Sequence, residues 1–273
     1  MKVAVLGSGS RGNATLLMTD GTAILVDAGF SARQLARRLE AVGVAPAKID
    51  AVVVTHDHAD HTRGIGVFSR RFGTPLYMTA ATRTACDGLL RGGEPVRRYA
   101  PGRSFTVGGL RVDPFVTAHD AIDPVAVTVT ARRCGTRVGV ATDLGRPTAG
   151  IRHSLDRCDF LVLEANHCEE LLRAGPFPPS VQSRIASSHG HLSNHAAARF
   201  ATELLHPGLT GIVLAHLSKE CNTPELARRV VGQALRKAGW KGFLTVAPQD
   251  DPTPLLDIPR LRLSRERGQL SLF

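Results

Sequence analysis

The stretch that most constrains this chain is Thr55-His56-Asp57-His58-Ala59-Asp60-His61, which follows the apolar run Ala51-Val52-Val53-Val54. The β-branched run reads as a buried strand. His56, His58, Asp60 and His61, all candidate metal ligands, therefore fall where a strand ends and the chain turns. In layered α/β folds that is where sites collect. His56 and His58 alternate along extended backbone, and Asp60 and His61 open what reads as a helix. Imidazole and carboxylate suit zinc or another divalent first-row metal. An HxHxDH cluster offers more ligands than one tetrahedral ion with an open position uses, so two neighbouring metals are expected. A solvated polar turn has no need of such a cluster.

With 273 residues, 43% of them hydrophobic, the chain can bury a large core, and no Pro/Gly/Ser-rich linker divides it. The opening Met1-Lys2-Val3-Ala4-Val5-Leu6 runs into Gly7-Ser8-Gly9-Ser10 too soon to be a signal-peptide core, and no apolar segment reaches membrane-spanning length. Cys86, Cys134, Cys158, Cys168 and Cys221 are odd in number and form no CxxC pair, which points to free thiols in a reducing compartment. The expected location is the cytoplasm, with no membrane partner. A net charge of +10 favours an anionic partner such as a phosphate polymer. Because 29 of the 34 basic residues are arginine, coding bias is an equally simple source of that charge.

In chain order, residues 2–6 and 14–18 read as strands joined by Gly7-Ser8-Gly9-Ser10-Arg11-Gly12-Asn13. A dinucleotide fingerprint needs a helix after its glycines, and the extended 14–18 makes this a hairpin. The loop is either a glycine-permitted turn or the mouth of a site, with Ser8, Ser10 and Asn13 hydrogen-bonding a phosphate. Asp27 ends the next strand and either caps the segment after it or orients a ligand histidine. Ser31 caps a helix that buries Leu35, Leu39 and Val42 and turns Arg33, Arg37 and Arg38 outward. Helices are expected over 64–72, 82–91, 196–205 and 223–238, and strands over 75–78, 112–116, 124–131, 137–141, 160–163, 211–215 and 243–247. Several of these strands end in a ligand-type residue: His119, Asp143, Glu164 and His216. Repetition of that placement makes one shared site credible.

With the HxHxDH cluster, His119, Asp143 and His216 in order at strand ends, residues 1–248 resemble the metallo-β-lactamase fold. That resemblance implies an α/β protein of αββα sandwich type, two mixed β-sheets flanked by helices. It implies two divalent ions, zinc first, with manganese or iron as alternatives. His56, His58 and His119 would hold one, Asp60, His61 and His216 the other, and Asp143 would bridge them. An Asp at that bridging place is similar to the phosphodiesterase and thioesterase branches. A narrower set of motifs, the Gly7 to Asn13 loop, Glu164-Ala165-Asn166-His167, Gly190-His191-Leu192-Ser193-Asn194 and His216-Leu217-Ser218-Lys219-Glu220, resembles the bacterial WalJ/YycJ subfamily of DNA exonucleases. It implies a phosphodiesterase acting on DNA from the 5′ end. The alternatives are an RNA or cyclic-nucleotide phosphodiesterase, a thioesterase of glyoxalase II type, and a binding module with a structural metal.

For such an enzyme the expected nucleophile is a metal-bridging hydroxide. Asp60 is then both ligand and catalytic residue, and His191, then His167, are the candidates for contacting the phosphate or protonating the leaving oxygen. Ser193 and Asn194 are expected to cap the helix at Ala196 and so aim its positive end at an anion. Residues 249–273 are expected to form a separate polar tail ending in Gln269-Leu270-Ser271-Leu272-Phe273. That ending resembles the pentapeptide by which bacterial replication and repair proteins dock on the sliding clamp, with Gln269, Leu270, Leu272 and Phe273 as anchors. The bland reading is a last strand packed on the chain's own sheet.

Overall fold

A computed structural model describes residues 1–19 and 21–270, and the side chains of all of these except 265–270. Two seven-stranded sheets lie face to face. In the first, β1 (Lys2–Gly7), β2 (Ala14–Thr19), β3 (Thr22–Val26), β4 (Ala51–Val53), β5 (Leu76–Met78) and β6 (Val96–Arg98) follow one another in chain order. The second runs from β7 (Phe105–Val107) through β8 (Leu110–Val116), β9 (Val125–Ala131), β10 (Arg137–Ala141), β11 (Phe160–Glu164) and β12 (Gly211–Ala215) to β13 (Phe243–Val246). A short β14 (Leu256–Asp257) returns antiparallel to the outer edge of β1. Both sheets are mixed in the same way. Antiparallel pairing holds from β14 to β3 and from β7 to β10, and parallel pairing from β3 to β6 and from β10 to β13.

The helices are α1 (Ala32–Ala41), α2 (Ala59–Thr62), α3 (Ile65–Phe72), α4 (Ala80–Ala85), α5 (Ala149–Leu155), α6 (Glu169–Ala174), α7 (Pro179–Ile185), α8 (Asn194–Glu203), α9 (Pro224–Lys237) and α10 (Ile258–Leu270). The run Ala51 to Val54 shows how the layers form. Ala51 and Val53 face the opposite sheet, while Val52 and Val54 face α1 and α3 beside Leu35, Leu39, Ile65 and Phe68. Alternation with both faces covered is why the strand is apolar throughout. On the far side Leu161, Leu163, Ile212 and Leu214 pack against Ile151, Leu155, Phe200, Val231 and Leu235 from α5, α8 and α9. The molecule is the αββα sandwich expected from the sequence.

Three local readings differ. Arg33 and Arg37 are exposed, but Arg38 turns inward, donating to Leu6 O at 2.6 Å with its guanidinium 4.0 Å above the Phe30 ring. The helix expected over 82–91 is α4 followed by a 3₁₀ turn at Asp87–Leu89, because Thr79 caps three residues earlier by accepting Thr82 N at 3.2 Å. The chain beyond 248 does not leave the sandwich. Thr253 bonds Val5 through both its hydroxyl and its N–H, β14 extends the first sheet, and Ile258 is buried in the inter-sheet core. The clamp-like peptide lies outside the described residues at 271–273, and in its side chains at Gln269 and Leu270. Among the described residues no helix is long and apolar enough to cross a membrane.

Candidate metal centre

The carboxyl ends of β3, β4, β8, β10, β11 and β12 deliver Asp27, His56 to His61, His119, Asp143, Glu164 and His216 to one place between the sheets. Close backbone packing makes this possible. Ala28 N donates to His61 O at 2.9 Å and Asn13 N to Asp60 O at 2.8 Å. A Cβ at Gly29 would lie 1.7 Å from Asp60 O, so only glycine fits there. Asp27, Asp143 and His216 all have left-handed backbone, with φ of 64°, 60° and 57°. Non-glycine residues adopt this conformation at a cost of about 1 kcal/mol or more. Three such residues in one cluster show a backbone bent to serve its side chains.

All seven residues expected to hold metals converge. His58 Nδ1 is 3.4 Å from His119 Nε2, and Asp143 Oδ1 is 3.6 Å from His119 Nε2 and 3.4 Å from His216 Nε2. Asp143 Oδ2 is 3.2 Å from His61 Nε2, while Asp60 Oδ2 is 3.4 Å from His216 Nε2. Asp143 thus stands between the two groups. His56, His58 and His119 form one set of mutually close donor atoms, and Asp60, His61 and His216 another. His56 Nε2 is buried with no hydrogen-bond partner, and Asp143 Oδ2 is buried with no contact of hydrogen-bond geometry, only the ionic approach of His61. Buried polar atoms left unpaired are costly, and these face a cluster of nitrogen and oxygen donors. The residues fit a pair of divalent cations.

The outer nitrogens are held as well. Asp27 accepts from His61 Nδ1 at 2.7 Å and from Thr55 N and Oγ1, each at 2.8 Å. Thr55 Oγ1 is 2.9 Å from His56 Nδ1, Gly190 O is 3.1 Å from His119 Nδ1, and Glu164 Oε1 is 3.3 Å from His216 Nδ1. Fixing Nδ1 leaves Nε2 aimed inward on all four rings. Burial opposes charge on His61, His216, Asp143 and His56, and ionic partners overcome it on the first three. Asp143, Asp27 and Asp60 outweigh burial and raise His61 well above its usual value; Asp143, Asp60 and Glu164 carry His216 up to about 10. His216, His61 and His56 hold Asp143 well below the usual carboxylate range, whereas burial and neighbouring histidines keep His56 well below the usual value.

A cavity of about 190 Å³ opens over this centre, lined by Ser10, His58, Asp60, His119, Asp120, Asp143, Arg184, Ile185, Gly190, His191 and His216. His191 is there, its Nδ1 2.8 Å from Glu164 Oε1. His167 is not: it is buried, its backbone bridges to Ser193, and burial lowers its pKa. Of Ser8, Ser10, Asn13, Ser193 and Asn194, expected to bind a phosphate beside His191, only Ser10 lines the cavity. Ser8 is buried and accepts from His216 N at 2.6 Å, and Asn13 donates to Asp60 Oδ2 at 3.1 Å, so both position the centre. Ser193 caps α8 by accepting Ala196 N at 3.1 Å, and Asn194 is buried in a paired amide contact with Asn222.

Sequence reasoning missed Glu164 as a working residue. Fully buried, it accepts from Asp143 N, Leu144 N and Leu192 N besides His191 and His216, and the charge of those two histidines outweighs burial to hold its pKa at about 2. Its signal was available, since it ends β11 as Asp143 follows β10.

The sequence model of the β-lactamase superfamily domain matches residues 22–212. The chain is 32% identical over 240 residues to a Bacillus anthracis protein named exodeoxyribonuclease YycJ, covering 87% of this chain and 90% of that one. It is 32% identical over 265 residues to the exodeoxyribonuclease WalJ of Streptococcus pneumoniae, covering 94% and 98%. The crystal structure of the metallo-β-lactamase fold protein YhfI from Bacillus subtilis superposes with a TM-score of 0.70 at 21% identity, over 92% of this chain and 98% of that one. The chain belongs to the metallo-β-lactamase superfamily, in the YycJ/WalJ family, and is a metal-dependent hydrolase.

Proposed function

We propose that this hydrolase cleaves phosphodiester bonds in DNA, as an exonuclease working from the 5′ end. The observation that carries the reading is identity of 32% with two proteins named exodeoxyribonucleases, spread over 87% and 94% of the chain. The centre supports it, because Asp60, Asp143 and the five histidines form the donor set of a dinuclear hydrolase. His56, His58 and His119 would hold one ion, Asp60, His61 and His216 the other, and Asp143 would join them. Zinc is the first choice, and the same donors accept manganese or iron. Bound divalent ions supply Lewis acidity and lower the pKa of water toward about 7.

The chain's own residues do the rest. Glu164 fixes His191 through Nδ1 and so leaves Nε2 to donate a proton to the departing oxygen. Asp60 is fixed by the Asn13 amide, which donates to Oδ2, the oxygen that faces His216. At about 190 Å³ the cavity is smaller than the roughly 300 Å³ of an ordinary ligand pocket, so it takes the reacting group and leaves the remaining polymer outside. The segment Gln269 to Phe273, by its sequence, would dock the enzyme on a bacterial sliding clamp, an apolar Leu-x-Leu-Phe peptide being suited to a partner's groove.

The test is to incubate the protein, supplied with zinc or manganese, with single- and double-stranded DNA labelled at either end, beside an RNA control and the Asp143→Ala variant. Stepwise loss of nucleotides from the 5′ end by the wild type alone is the expected result. Intact DNA with cleaved RNA would overturn the DNA reading, and shortening from the 3′ end would reverse the polarity.

A further inference from the structure

One wall of the cavity comes from a segment that has no fully buried residue. From 173 to 189 every residue is exposed or half-exposed, and none of the residues of α7 is buried. A helix this short, with no residue fully buried, has little stability of its own. Yet the carboxyl end of this arm is pinned to the loops that carry His119 and His191. His191 N donates to Ile185 O at 2.9 Å and Asp120 N to His189 O at 3.0 Å. Gly190, whose carbonyl meets His119, packs so tightly that a Cβ there would lie 2.2 Å from both Arg184 O and Ile185 O. The arm is therefore aimed at the cavity by its anchors and not by a core of its own.

Its charge has one sign: residues 173–189 include Arg173 and Arg184 and no Asp or Glu. Arg184 lines the cavity with its side chain 68% exposed. Among the described residues its ionic partner is Asp120, 3.5 Å away, and Asp120 in turn stands 3.5 Å from His119 Nε2. An exposed ion pair at that distance contributes little to stability. It does hold the guanidinium at the mouth of the cavity with most of its N–H groups unused, and that fork matches a phosphate's oxygens.

We propose that the 173–189 arm is a substrate clamp and that Arg184 binds the phosphate adjacent to the one being cleaved. The proposal rests on the reading of the enzyme as a phosphodiesterase of DNA. Because the cavity admits only the reacting group, a neighbouring phosphate lies at its rim, where Arg184 stands. Asp120 holds the arginine in place until the phosphate replaces it. The enzyme would then favour chains with at least two successive phosphodiesters over an isolated one.

The experiment compares the metal-loaded full-length protein with Arg184→Ala and Arg184→Lys on two substrates. One is a single-stranded DNA oligonucleotide; the other is bis(p-nitrophenyl) phosphate, which has a single phosphodiester. Arg184→Ala is expected to raise KM for the oligonucleotide about tenfold, with kcat for both substrates within about twofold of wild type. Binding of a phosphorothioate oligonucleotide, followed by anisotropy against salt, should lose about 0.7 from its log–log slope. Arg184→Lys should keep the slope and recover part of the affinity. An equal loss on both substrates would show that Arg184 acts through the centre, and an unchanged KM and slope would remove it from the substrate; either overturns the clamp. A wild type that cleaves the small diester yet neither binds nor cuts the oligonucleotide would instead overturn the DNA reading itself.

Discussion

His61 illustrates how a single residue is made into a ligand. Its ring is fully buried, with Asp27 on Nδ1 and the carboxylates of Asp60 and Asp143 facing Nε2. Asp27 has no contact with the cavity, so its effect on chemistry passes through the orientation of that ring. Asp27→Asn keeps the shape but gives up the charged acceptor. It is expected to weaken metal binding about 10- to 100-fold, read by competition with a chelating dye. Unaltered affinity would reduce Asp27 to a strand-end hydrogen bond with Thr55. The HxHxDH residues were legible because they are contiguous and chemically conspicuous. Glu164 was legible as a strand-end carboxylate but not in its role, and Asp120 in a loop was not legible at all, since neither position in sequence reveals what lies across from it.

At the scale of elements, the strands of the second sheet and the helices α8 and α9 over it were readable from apolar period and caps, as Thr223 and Pro224 at the start of α9 illustrate, whereas the short α5 was not. The chain beyond 248 was misread because β14 has two residues and no apolar alternation to mark it. What holds it is long-range: Thr253 against Val5 and Ile258 in the inter-sheet core. Ending the chain after 252 should therefore lower thermal stability by several degrees, since burial of one isoleucine alone is worth about 1.5–3 kcal/mol. Ending it after 268 should leave the melting temperature unchanged and abolish co-elution with a bacterial sliding clamp. Co-elution that survives the shorter cut would remove the clamp role from the terminal peptide; a melting temperature unmoved by the longer cut would remove the structural role from β14.

Over the whole molecule the centre concentrates buried charge, and this sets a pH dependence. Burial works against Glu164 ionising, but His191 and His216 hold it at about 2, below its ordinary 4.5. Its stabilisation is complete above about 4.5 and lost as pH falls toward 2. His216 is raised from 6.5 to about 10, so its contribution is complete below about 6.5 and lost as pH climbs toward 10. The metal-free chain should thus melt highest between about 4.5 and 6.5 and lose stability on both sides. With metal bound, the cation takes the proton's place on His61 and His216 and the alkaline decline should vanish. Melting curves across pH with and without a chelator check this. An alkaline decline that persists after zinc is added would mean that these histidines do not hold it.

The chemistry and the layering can be read from the order of residues alone: a strand ending in HxHxDH, further strands ending in His119, Asp143 and His216, and apolar alternation that needs cover on both faces. Those signals are local, carried by neighbouring residues or by a period of two. Which of the other polar residues meet the centre was a matter for the folded molecule. Ser8, Asn13, Ser193 and Asn194 looked equal to Ser10 in sequence, and the fold turned them to its own hydrogen bonds. His167 was buried away from the cavity that His191 enters, and Arg184 was carried to its mouth by an arm without a core. A side chain's use depends on the groups that the chain brings against it from far along the sequence, and those contacts are settled when the sheets close.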